Sequence, residues 1–353
     1  MDPDFLSSVR GPSVVGFEVT PYCNRRCIHC EPAKVTDGNY YLEHPLSTRD
    51  VLRIIDRLGD GEVHYVFLTG GEPTFRDDLP QIIRRCFERE VYPNLLTTGE
   101  RADDRLASEL YDLGLENVQI SMEGPQKIHD AITGTPGAFE KTVRGIKAFV
   151  RAGLNVCVTS VAMKPSLPHL AGLIPELAKL GVYGYGTVRL RAHRPQDFRL
   201  VPTKNMLLTQ NERIKEACGN HGVELLKIYD GLGTTTEEIP DTHYPSAFIC
   251  NAGKIKMEIL SNGDVVPCKS FKRPDFVVGN LLRDTVEDVW NHSVMRTFRH
   301  MTPDEYLGEC AACELKVSCH CCRAVAYNLT GELFSPDPSC CLINSELCKE
   351  ALV

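Results

Sequence analysis

The sequence predicts an α/β fold, in which a partial (β/α)6 barrel of the TIM type precedes a smaller, cysteine-rich region. Three observations support this prediction. The chain has 353 residues and 42% hydrophobic content, enough for one large domain and one small one. Six apolar runs with β-branched residues alternate with stretches of helical period up to residue 228. Ten of the 16 cysteines stand at or after residue 250.

The six predicted strand–helix units follow one another directly along the chain. The strands are predicted at 14–20, 63–70, 94–99, 117–124, 155–161 and 185–191, and the helices at 48–58, 79–90, 102–113, 138–152, 168–180 and 209–220. Ser47 or Thr48 is the expected start of the first helix. Such alternation is typical of parallel strands joined by right-handed crossovers, so we expect the active site at the carboxyl ends of the strands.

The composition changes after residue 228. Residues 229–247 contain the polar, Gly-, Pro- and Thr-rich run YDGLGTTTEEIPDTHYPS, which predicts a linker. We therefore expect a barrel over residues 1–228 and a second domain over residues 248–353.

Charge and hydropathy exclude several classes of protein. The chain has 39 basic and 47 acidic residues, a net charge of -8, and no block of lysine or arginine, so we expect no nucleic-acid partner. An acidic surface also disfavours anionic membranes. No apolar run approaches the roughly 18 residues of a spanning helix. The opening MDPDFLSSVRGPS lacks the regions of a signal peptide, and we expect a cytoplasmic protein.

In a reducing cytosol, clustered cysteines indicate metal binding or catalysis rather than disulfides. Cys86, Cys157 and Cys218 stand alone among apolar neighbours and are expected to be ordinary buried thiols.

Three cysteines occur close together directly after the first predicted strand. The segment TPYCNRRCIHC (residues 20–30) places Cys23, Cys27 and Cys30 within eight positions. A structural zinc takes four ligands, whereas three thiolates can bind three irons of a 4Fe-4S cluster and leave the fourth iron open to a substrate or cofactor. A zinc site with a distant fourth ligand is the alternative.

The spacing Cys23-x3-Cys27-x2-Cys30 resembles that of the radical S-adenosylmethionine (SAM) enzymes. This resemblance implies that the three cysteines are catalytic and hold a 4Fe-4S cluster whose open iron is chelated by SAM. In that family an electron from the cluster cleaves SAM to a 5′-deoxyadenosyl radical, which removes a hydrogen atom from the substrate.

A second motif supports the resemblance. The segment FLTGGEPTF (67–75) ends the second predicted strand, where the family carries its GGE motif. The resemblance implies that Gly70, Gly71 and Glu72 line the methionine amino group of SAM and that Pro73 fixes the turn. Glycine also lets a backbone approach a ligand closely.

Further SAM contacts are implied at the ends of the other strands. The segments ISMEG and LLTTGE and the residue before the third cysteine resemble family segments near SAM. The implied contacts are His29, Thr98, Ser121, Thr159 and Arg191. The chain departs from the family in having Thr133 where an arginine is common and Thr98 where an asparagine is common.

The C-terminal cysteines resemble the SPASM extension of radical SAM enzymes. The chain has Cys250-x12-Gly263-x4-Cys268, followed by Cys310-x2-Cys313-x5-Cys319 and by further cysteines. The resemblance implies a first auxiliary cluster on Cys250, Cys268 and Cys322, and a second on Cys310, Cys313, Cys319 and Cys340. A pair of structural zincs is the alternative.

Two departures from the SPASM pattern leave the ligand sets open. The gap after Cys319 is two residues instead of three, and no cysteine shortly precedes Cys250. The first auxiliary cluster therefore has an open iron or takes Cys321 or Cys341.

The resemblance implies an oxidoreductase or maturase that oxidises, crosslinks or epimerises a ribosomal peptide in natural-product biosynthesis. An external electron donor such as a flavodoxin or ferredoxin is expected. Only 13 residues precede the first strand, so we expect no peptide-recognition domain fused at the N-terminus. This counts weakly against a peptide substrate, because such a module can be a separate protein. The alternatives are a dehydrogenase or epimerase acting on a sugar or aminoglycoside, a haem-pathway tetrapyrrole decarboxylase, and a non-catalytic iron-sulfur carrier.

Overall fold

The computed structural model describes residues 11–30, 45–228, 250–316, 319 and 321–340. In these residues the strands form one sheet in the order β10-β9-β8-β1-β2-β3-β4-β5-β6-β7. The strands are β1 (Val14–Thr20), β2 (Tyr65–Gly70), β3 (Tyr92–Thr97), β4 (Asn117–Ser121), β5 (Asn155–Ala162), β6 (Gly184–Arg189), β7 (Glu224–Lys227), β8 (Lys256–Ile259), β9 (Asp264–Val266) and β10 (Gly279–Asn280). Strands β1 to β8 pair in parallel, and β9 and β10 are antiparallel.

In the described residues, seven α-helices accompany the first seven strands, and four helices of four to eight residues follow β10. They are α1 (Thr48–Asp60), α2 (Leu79–Glu88), α3 (Asp104–Asp112), α4 (Gln126–Thr133), α5 (Ala138–Arg151), α6 (Leu167–Lys179), α7 (Lys204–His221), α8 (Val286–Trp290), α9 (Ser293–His300), α10 (Gly308–Ala311) and α11 (Arg323–Thr330). In the described part of the chain, no helix is long and apolar enough to cross a bilayer.

The main core lies between the sheet and its helices. On β1, Val15, Phe17 and Val19 are fully buried and belong to the same cluster as the apolar face of α1. The alternate residues of the strand, including Glu18, face the other side of the sheet. The polar residues of β1 thus lie on the face of the sheet opposite the main core.

The six predicted strand–helix units are confirmed, with bounds within three residues except at the start of α7. That helix begins at Lys204 rather than Thr209, because the Thr203 hydroxyl accepts a hydrogen bond from the Met206 amide at 3.3 Å and caps it. Two elements within residues 11–228 were not predicted. Helix α4 has only eight residues, and β7 has only four, most of them exposed, so neither has a clear hydrophobic period.

The cysteine-rich C-terminal region shares the sheet of the barrel. Strand β8 pairs with β1 in parallel, with Lys256 opposite Val14 and Glu258 opposite Gly16. A Cβ atom at Gly16 would lie 2.3 Å from the Glu258 carboxylate, so this glycine makes room for a buried side chain. The division of the chain into two domains remains a prediction, because the linker 229–247 lies outside the described residues.

Two ion pairs between buried or half-buried groups also connect the barrel strands to the C-terminal region. Glu18 on β1 pairs with Lys272, and both side chains are buried. Arg189 at the end of β6 contacts Asp337 at 2.7 Å.

Candidate functional site

The three N-terminal cysteines lie on the loop that directly follows β1, residues 21–30, called here the cysteine loop. Its start is hydrogen-bonded to the end of β2. The carbonyl oxygens of Thr20 and Tyr22 accept hydrogen bonds from the amides of Gly71 and Glu72, each at 2.7 Å. The cysteine loop and the GGE segment are therefore in direct backbone contact.

This contact requires glycine at two positions. Gly70 has a φ of +138°, and a Cβ there would lie 2.2 Å from the Thr20 carbonyl oxygen. A Cβ on Gly71 would lie 2.1 Å from the Tyr22 carbonyl oxygen. Both distances are shorter than the contact distance between a Cβ atom and a carbonyl oxygen. The glycines thus bring the GGE backbone against the cysteine loop.

The other side of the cysteine loop is held by the end of α4. The amides of Arg26 and Ile28 donate to the carbonyls of Thr133 and Ile132, each at 3.0 Å. These carbonyls lie in the last turn of a helix, where backbone acceptors lack partners within the helix. Gly134 ends α4 in the left-handed conformation, with a φ of 62°. Two amides of the cysteine loop thus donate hydrogen bonds to the last carbonyls of α4. The sequence did not predict this helix.

A buried arginine fixes the middle of the cysteine loop. Arg25 donates to the Thr142 hydroxyl at 2.7 Å and pairs with Glu100 at 3.4 Å, with both side chains of the ion pair almost fully buried. Glu100 also accepts from Asn24 at 2.7 Å and pairs with Lys141. The loop is therefore anchored to the end of β3 and to α5.

The thiols of the cysteine loop are partly removed from solvent. Burial raises the pKa of Cys27 to about 12, with Cys30 and Glu123 adding to the effect, and burial also raises the pKa of Cys23. A cationic cluster would remove this cost by binding the thiolates and releasing their protons. The choice between a cluster and zinc remains a prediction from the cysteine spacing.

Glu72 is held by hydrogen bonds within the protein. Its fully buried carboxylate accepts from the Thr74 amide at 3.0 Å, from the Thr98 amide at 2.6 Å, and from the hydroxyls of Thr74 and Thr97. These bonds connect the end of β2 to the end of β3. Thr98 takes part through its amide rather than its side chain.

Glu123 and His129 form a buried polar group beside the cysteine loop. Glu123 accepts from the Val161 amide at 2.8 Å, and His29 lies 3.5 Å from its carboxylate. Burial raises the pKa of Glu123 to about 8. Nδ1 of His129 accepts from the Glu123 amide at 3.0 Å, and its Nε2 lies 3.3 Å from the Arg25 guanidinium.

The sequence reasoning missed Arg25, Glu123 and His129 as site residues. Arg25 stands inside the cysteine motif, and Glu123 and His129 stand inside segments that resembled the family. The motifs pointed to residues next to these three. The buried hydrogen bonds of Arg25, Glu123 and His129 join residues far apart in the sequence, so no local pattern indicates them.

Of the remaining predicted SAM contacts, Ser121, Thr159 and Pro73 lie toward the carboxyl ends of neighbouring strands, whereas Arg191 lies near Cys268. Ser121 is exposed at the end of β4 and pairs with Thr159 on β5. Pro73 is buried at the start of a short 3-10 turn. Arg191 lies near Cys268 and lowers the pKa of that thiol, opposing the larger effect of burial. Their contact with SAM remains a prediction.

Six of the described C-terminal cysteines lie in two apolar clusters. Cys250, Cys268 and Cys322 pack into one apolar cluster with Phe271, and burial raises the pKa of Cys250 to about 11 and that of Cys268 to about 12. A second cluster contains Cys310, Cys319 and Cys321 around Tyr306.

Cys321 packs in the second group and also lies near enough to Cys250 of the first group to raise the pKa of that thiol. It is buried, and its thiol lies 3.7 Å from the Tyr306 hydroxyl. A hydrogen bond from Cys319 lowers the pKa of Cys321. Cys340 is near enough to raise the pKa of Cys310 and Cys319. Cys341 lies outside the described residues, and the ligand sets remain predictions.

The cysteine loop and the first auxiliary group lie toward opposite ends of β1. The cysteine loop follows the carboxyl end of the strand. Cys250 precedes β8, and Cys268 follows β9, which runs back toward the start of β8. Seven residues of β1 span about 20 Å at roughly 3.3 Å each.

Two family models match this chain. Residues 17–166 match the radical SAM superfamily, and residues 250–314 match SPASM, an iron-sulfur cluster-binding domain. The fold and the cysteine groups thus define an iron-sulfur protein of the class that uses SAM. The chain is a radical SAM enzyme with a C-terminal SPASM domain, and these domains imply 4Fe-4S clusters and SAM binding.

Similar proteins cover almost the whole chain. An AdoMet-dependent heme synthase of Oleidesulfovibrio alaskensis is 26% identical over 93% of this chain and 86% of its own. A PqqA peptide cyclase of Granulibacter bethesdensis is 25% identical over 96% and 89%. The structure of Streptococcus suis SuiB bound to its precursor peptide SuiA has a TM-score of 0.71 at 18% identity, covering 91% of this chain and 74% of SuiB. At 18% identity, the similarity to SuiB shows a common fold.

Proposed function

We propose that the protein cleaves SAM reductively at the cysteine loop and uses the resulting radical to modify a ribosomal peptide by oxidation, crosslinking or epimerisation. The observation that carries the proposal is the fixed loop after β1, where Cys23, Cys27 and Cys30 lie against the Gly70–Gly71–Glu72 backbone.

In this proposal Cys23, Cys27 and Cys30 hold a 4Fe-4S cluster with one open iron. The chemistry that such a cluster and SAM supply when bound is the production of a 5′-deoxyadenosyl radical, which abstracts a hydrogen atom from the substrate. The protein keeps the loop in one conformation through its bonds to β2 and α4. Preorganisation of this kind places the reacting groups without a cost at the moment of reaction.

In this proposal, other predicted residues near the carboxyl ends of the strands contact SAM. Ser121 and Thr159 on neighbouring strands present hydroxyls for polar groups of SAM, and His29 presents an imidazole for stacking on adenine. Glu72 acts as a positioning residue, because its carboxylate oxygens are occupied by threonine amides and hydroxyls. The C-terminal cysteines would hold two auxiliary clusters, on Cys250, Cys268 and Cys322 and on Cys310, Cys313, Cys319 and Cys340.

A peptide substrate is supported by the relatives. The PqqA peptide cyclase matches 96% of the chain, including both cysteine-rich regions. We infer a substrate peptide bound between the cysteine loop and the first auxiliary group, where hydrogen abstraction and electron removal take place at opposite ends of β1.

A tetrapyrrole is the second candidate substrate. The heme synthase of Oleidesulfovibrio alaskensis matches the chain to the same extent as the cyclase. In this alternative, the radical would remove hydrogen from a propionate side chain, and an auxiliary cluster would accept the electron released on decarboxylation.

SAM cleavage tests the proposed reaction. Anaerobically reconstituted protein with dithionite should release 5′-deoxyadenosine from SAM, measured by mass spectrometry. The Cys23→Ala/Cys27→Ala/Cys30→Ala variant should release none. Equal release by both proteins would contradict the assignment of these cysteines.

Deuterium transfer identifies the substrate class. The reconstituted enzyme is incubated with the deuterated precursor peptide that the proposal expects to be encoded beside its gene, and separately with a tetrapyrrole deuterated on its propionates. We expect deuterium in 5′-deoxyadenosine from the peptide. Label transfer from the tetrapyrrole alone would replace the peptide proposal with the second candidate.

A further inference from the structure

A basic groove runs along the outer surface of the barrel between α1 and α2. The groove has a volume of about 830 Å³, and four of its nine lining residues are arginines. Arg49 and Arg53 come from α1, and Arg84 and Arg85 come from α2. The two helices thus present their arginines to a common space.

The groove carries a surplus of positive charge on an acidic protein. Arg85 contacts both lining carboxylates, Asp56 at 2.6 Å and Glu88 at 2.9 Å. Arg49, Arg53 and Arg84 are exposed. The lining holds four positive and two negative charges, whereas the whole chain has a net charge of -8. A local field of this sign attracts an acidic partner to this face.

The groove is connected to the end of β1, where the cysteine loop begins. Arg76 donates to the carbonyls of Val19 and Leu46, each at 2.9 Å, and pairs with Asp78 at 2.6 Å. Asp78 in turn accepts a hydrogen bond from the side chain of Thr48, which lines the groove. The starts of α1 and α2 are therefore fixed against the strand that leads to Cys23.

The reaction proposed above consumes an electron that has to come from outside the chain. Cys23 is exposed, although the surrounding protein partly desolvates its thiol, and it follows the end of β1 that Arg76 contacts. Small one-electron carriers bind transiently through interfaces below about 1,200 Å², and their association depends on charge complementarity. A basic groove beside the loop suits an acidic carrier of this kind.

We propose that the groove between α1 and α2 is the docking surface for a small, acidic electron-transfer protein of the flavodoxin or ferredoxin type. The proposal rests on the reductive cleavage of SAM at the cysteine loop. The arginines steer and orient the carrier and take no part in SAM binding.

A charge-reversal variant tests the docking surface. The variant is Arg49→Glu/Arg53→Glu/Arg84→Glu, and the probe is a bacterial flavodoxin. Its matched control, Arg105→Glu/Arg144→Glu/Lys147→Glu, makes the same charge change at exposed positions on α3 and α5. At low ionic strength, calorimetry should show flavodoxin binding weakened about tenfold or more by the groove variant and little by the control.

The choice of reductant separates docking from chemistry. With reduced flavodoxin, the groove variant should release 5′-deoxyadenosine about tenfold more slowly than the wild type, whereas with dithionite the two rates should agree. Added salt should slow the wild-type reaction with flavodoxin and leave the dithionite reaction unchanged. This salt series needs no variant.

Several results would overturn the docking proposal. These are unchanged flavodoxin binding by the groove variant, an equal loss by the control variant, and salt-independent reduction by flavodoxin. Loss of precursor-peptide binding with intact flavodoxin binding would assign the groove to the peptide instead. Failure to release 5′-deoxyadenosine with dithionite would contradict the proposed function, while the calorimetric result would still decide the docking surface.

Discussion

Gly71 shows how a single residue sets the position of the cysteine loop. Its Cα faces the Tyr22 carbonyl so closely that a methyl group has no room. The sequence indicated that the glycines of the GGE motif allow a close approach, but not that the approach would be to another loop of the protein. The contact between the two loops is seen only in the structure, where their backbones are hydrogen-bonded to each other.

Gly71→Ala should therefore separate the two loops. We expect a loss of about 2 kcal/mol in the free energy of unfolding, from overpacking, together with reduced iron incorporation at the cysteine loop. Urea unfolding of the apo-protein and iron analysis measure the two effects. Gly172→Ala is the matched control, because nothing lies within 4 Å of a Cβ there, and a helix interior gains up to about 1 kcal/mol from alanine. Equal stability of the two variants would contradict the contact.

Glu123 should make the stability of the apo-protein depend on pH. Burial raises its folded pKa to about 8 from a usual value of 4.5, although Arg25 and the Val161 amide act in the opposite direction. The folded state thus holds a proton that the unfolded state releases. The contribution is complete below about pH 4.5 and is lost as pH rises through about 8.

Glu123→Gln should flatten this dependence between about pH 5 and 8. His29, His129 and Cys27 lie near the carboxyl group, so the comparison is made against Glu176→Gln, which changes an exposed carboxylate on α6. Thermal unfolding at a series of pH values measures the slope. The same slope in Glu123→Gln as in the wild type would show that the carboxyl group is already ionised in the folded protein.

At the scale of elements, α4 determines how the cysteine loop is held. Its last carbonyls accept two amides of the loop. The sequence predicted the strands and long helices around it because their hydrophobic residues recur with clear periods. The eight residues of α4 span little more than two turns, and its partners lie about a hundred positions away. The role of α4 depends on tertiary contacts, and the hydrophobic period of the sequence does not predict such contacts.

Gly134→Ala should disturb this connection. Gly134 ends α4 at a φ of 62°, and a Cβ would lie 3.2 Å from the Arg26 carbonyl oxygen. Gly222 ends α7 at a φ of 66° with nothing within 4 Å, which makes Gly222→Ala the matched control. Each variant should lose about 1 kcal/mol of unfolding free energy from the left-handed conformation.

Only Gly134→Ala should also reduce iron retention by the cysteine loop. Iron released during gel filtration of the reconstituted protein measures this. Equal retention in both variants would show that the end of α4 does not control the loop.

At the scale of the whole molecule, the barrel and the C-terminal region share one sheet. The sequence predicted two cysteine-rich sites and their order but not the parallel pairing of β8 with β1. Pairing partners far apart in the chain leave no periodic signal, and the short run of β8 fits several registers. The shared sheet places the two cysteine groups toward opposite ends of one strand.

The Glu18–Lys272 pair should stabilise this junction, because both charges are buried. Lys272→Met leaves Glu18 without its partner and should cost about 3 kcal/mol, measured by urea unfolding. The double variant Glu18→Gln/Lys272→Met should recover most of the loss. Lys215→Met, which removes a surface pair with Glu212, should cost under about 1 kcal/mol. A Lys272→Met loss as small as that of Lys215→Met would show that the buried pair does not stabilise the junction.

The most direct test of the central claim is the response of the reconstituted clusters to SAM. Iron content and the EPR spectrum of the reduced protein are recorded with and without SAM, in the wild type and in Cys23→Ala/Cys27→Ala/Cys30→Ala. We predict about twelve irons per chain in the wild type and about eight in the variant. We also predict one EPR signal that SAM alters in the wild type and that is missing from the variant. An unchanged iron content, or a wild-type spectrum that SAM does not alter, would contradict an open iron at the cysteine loop.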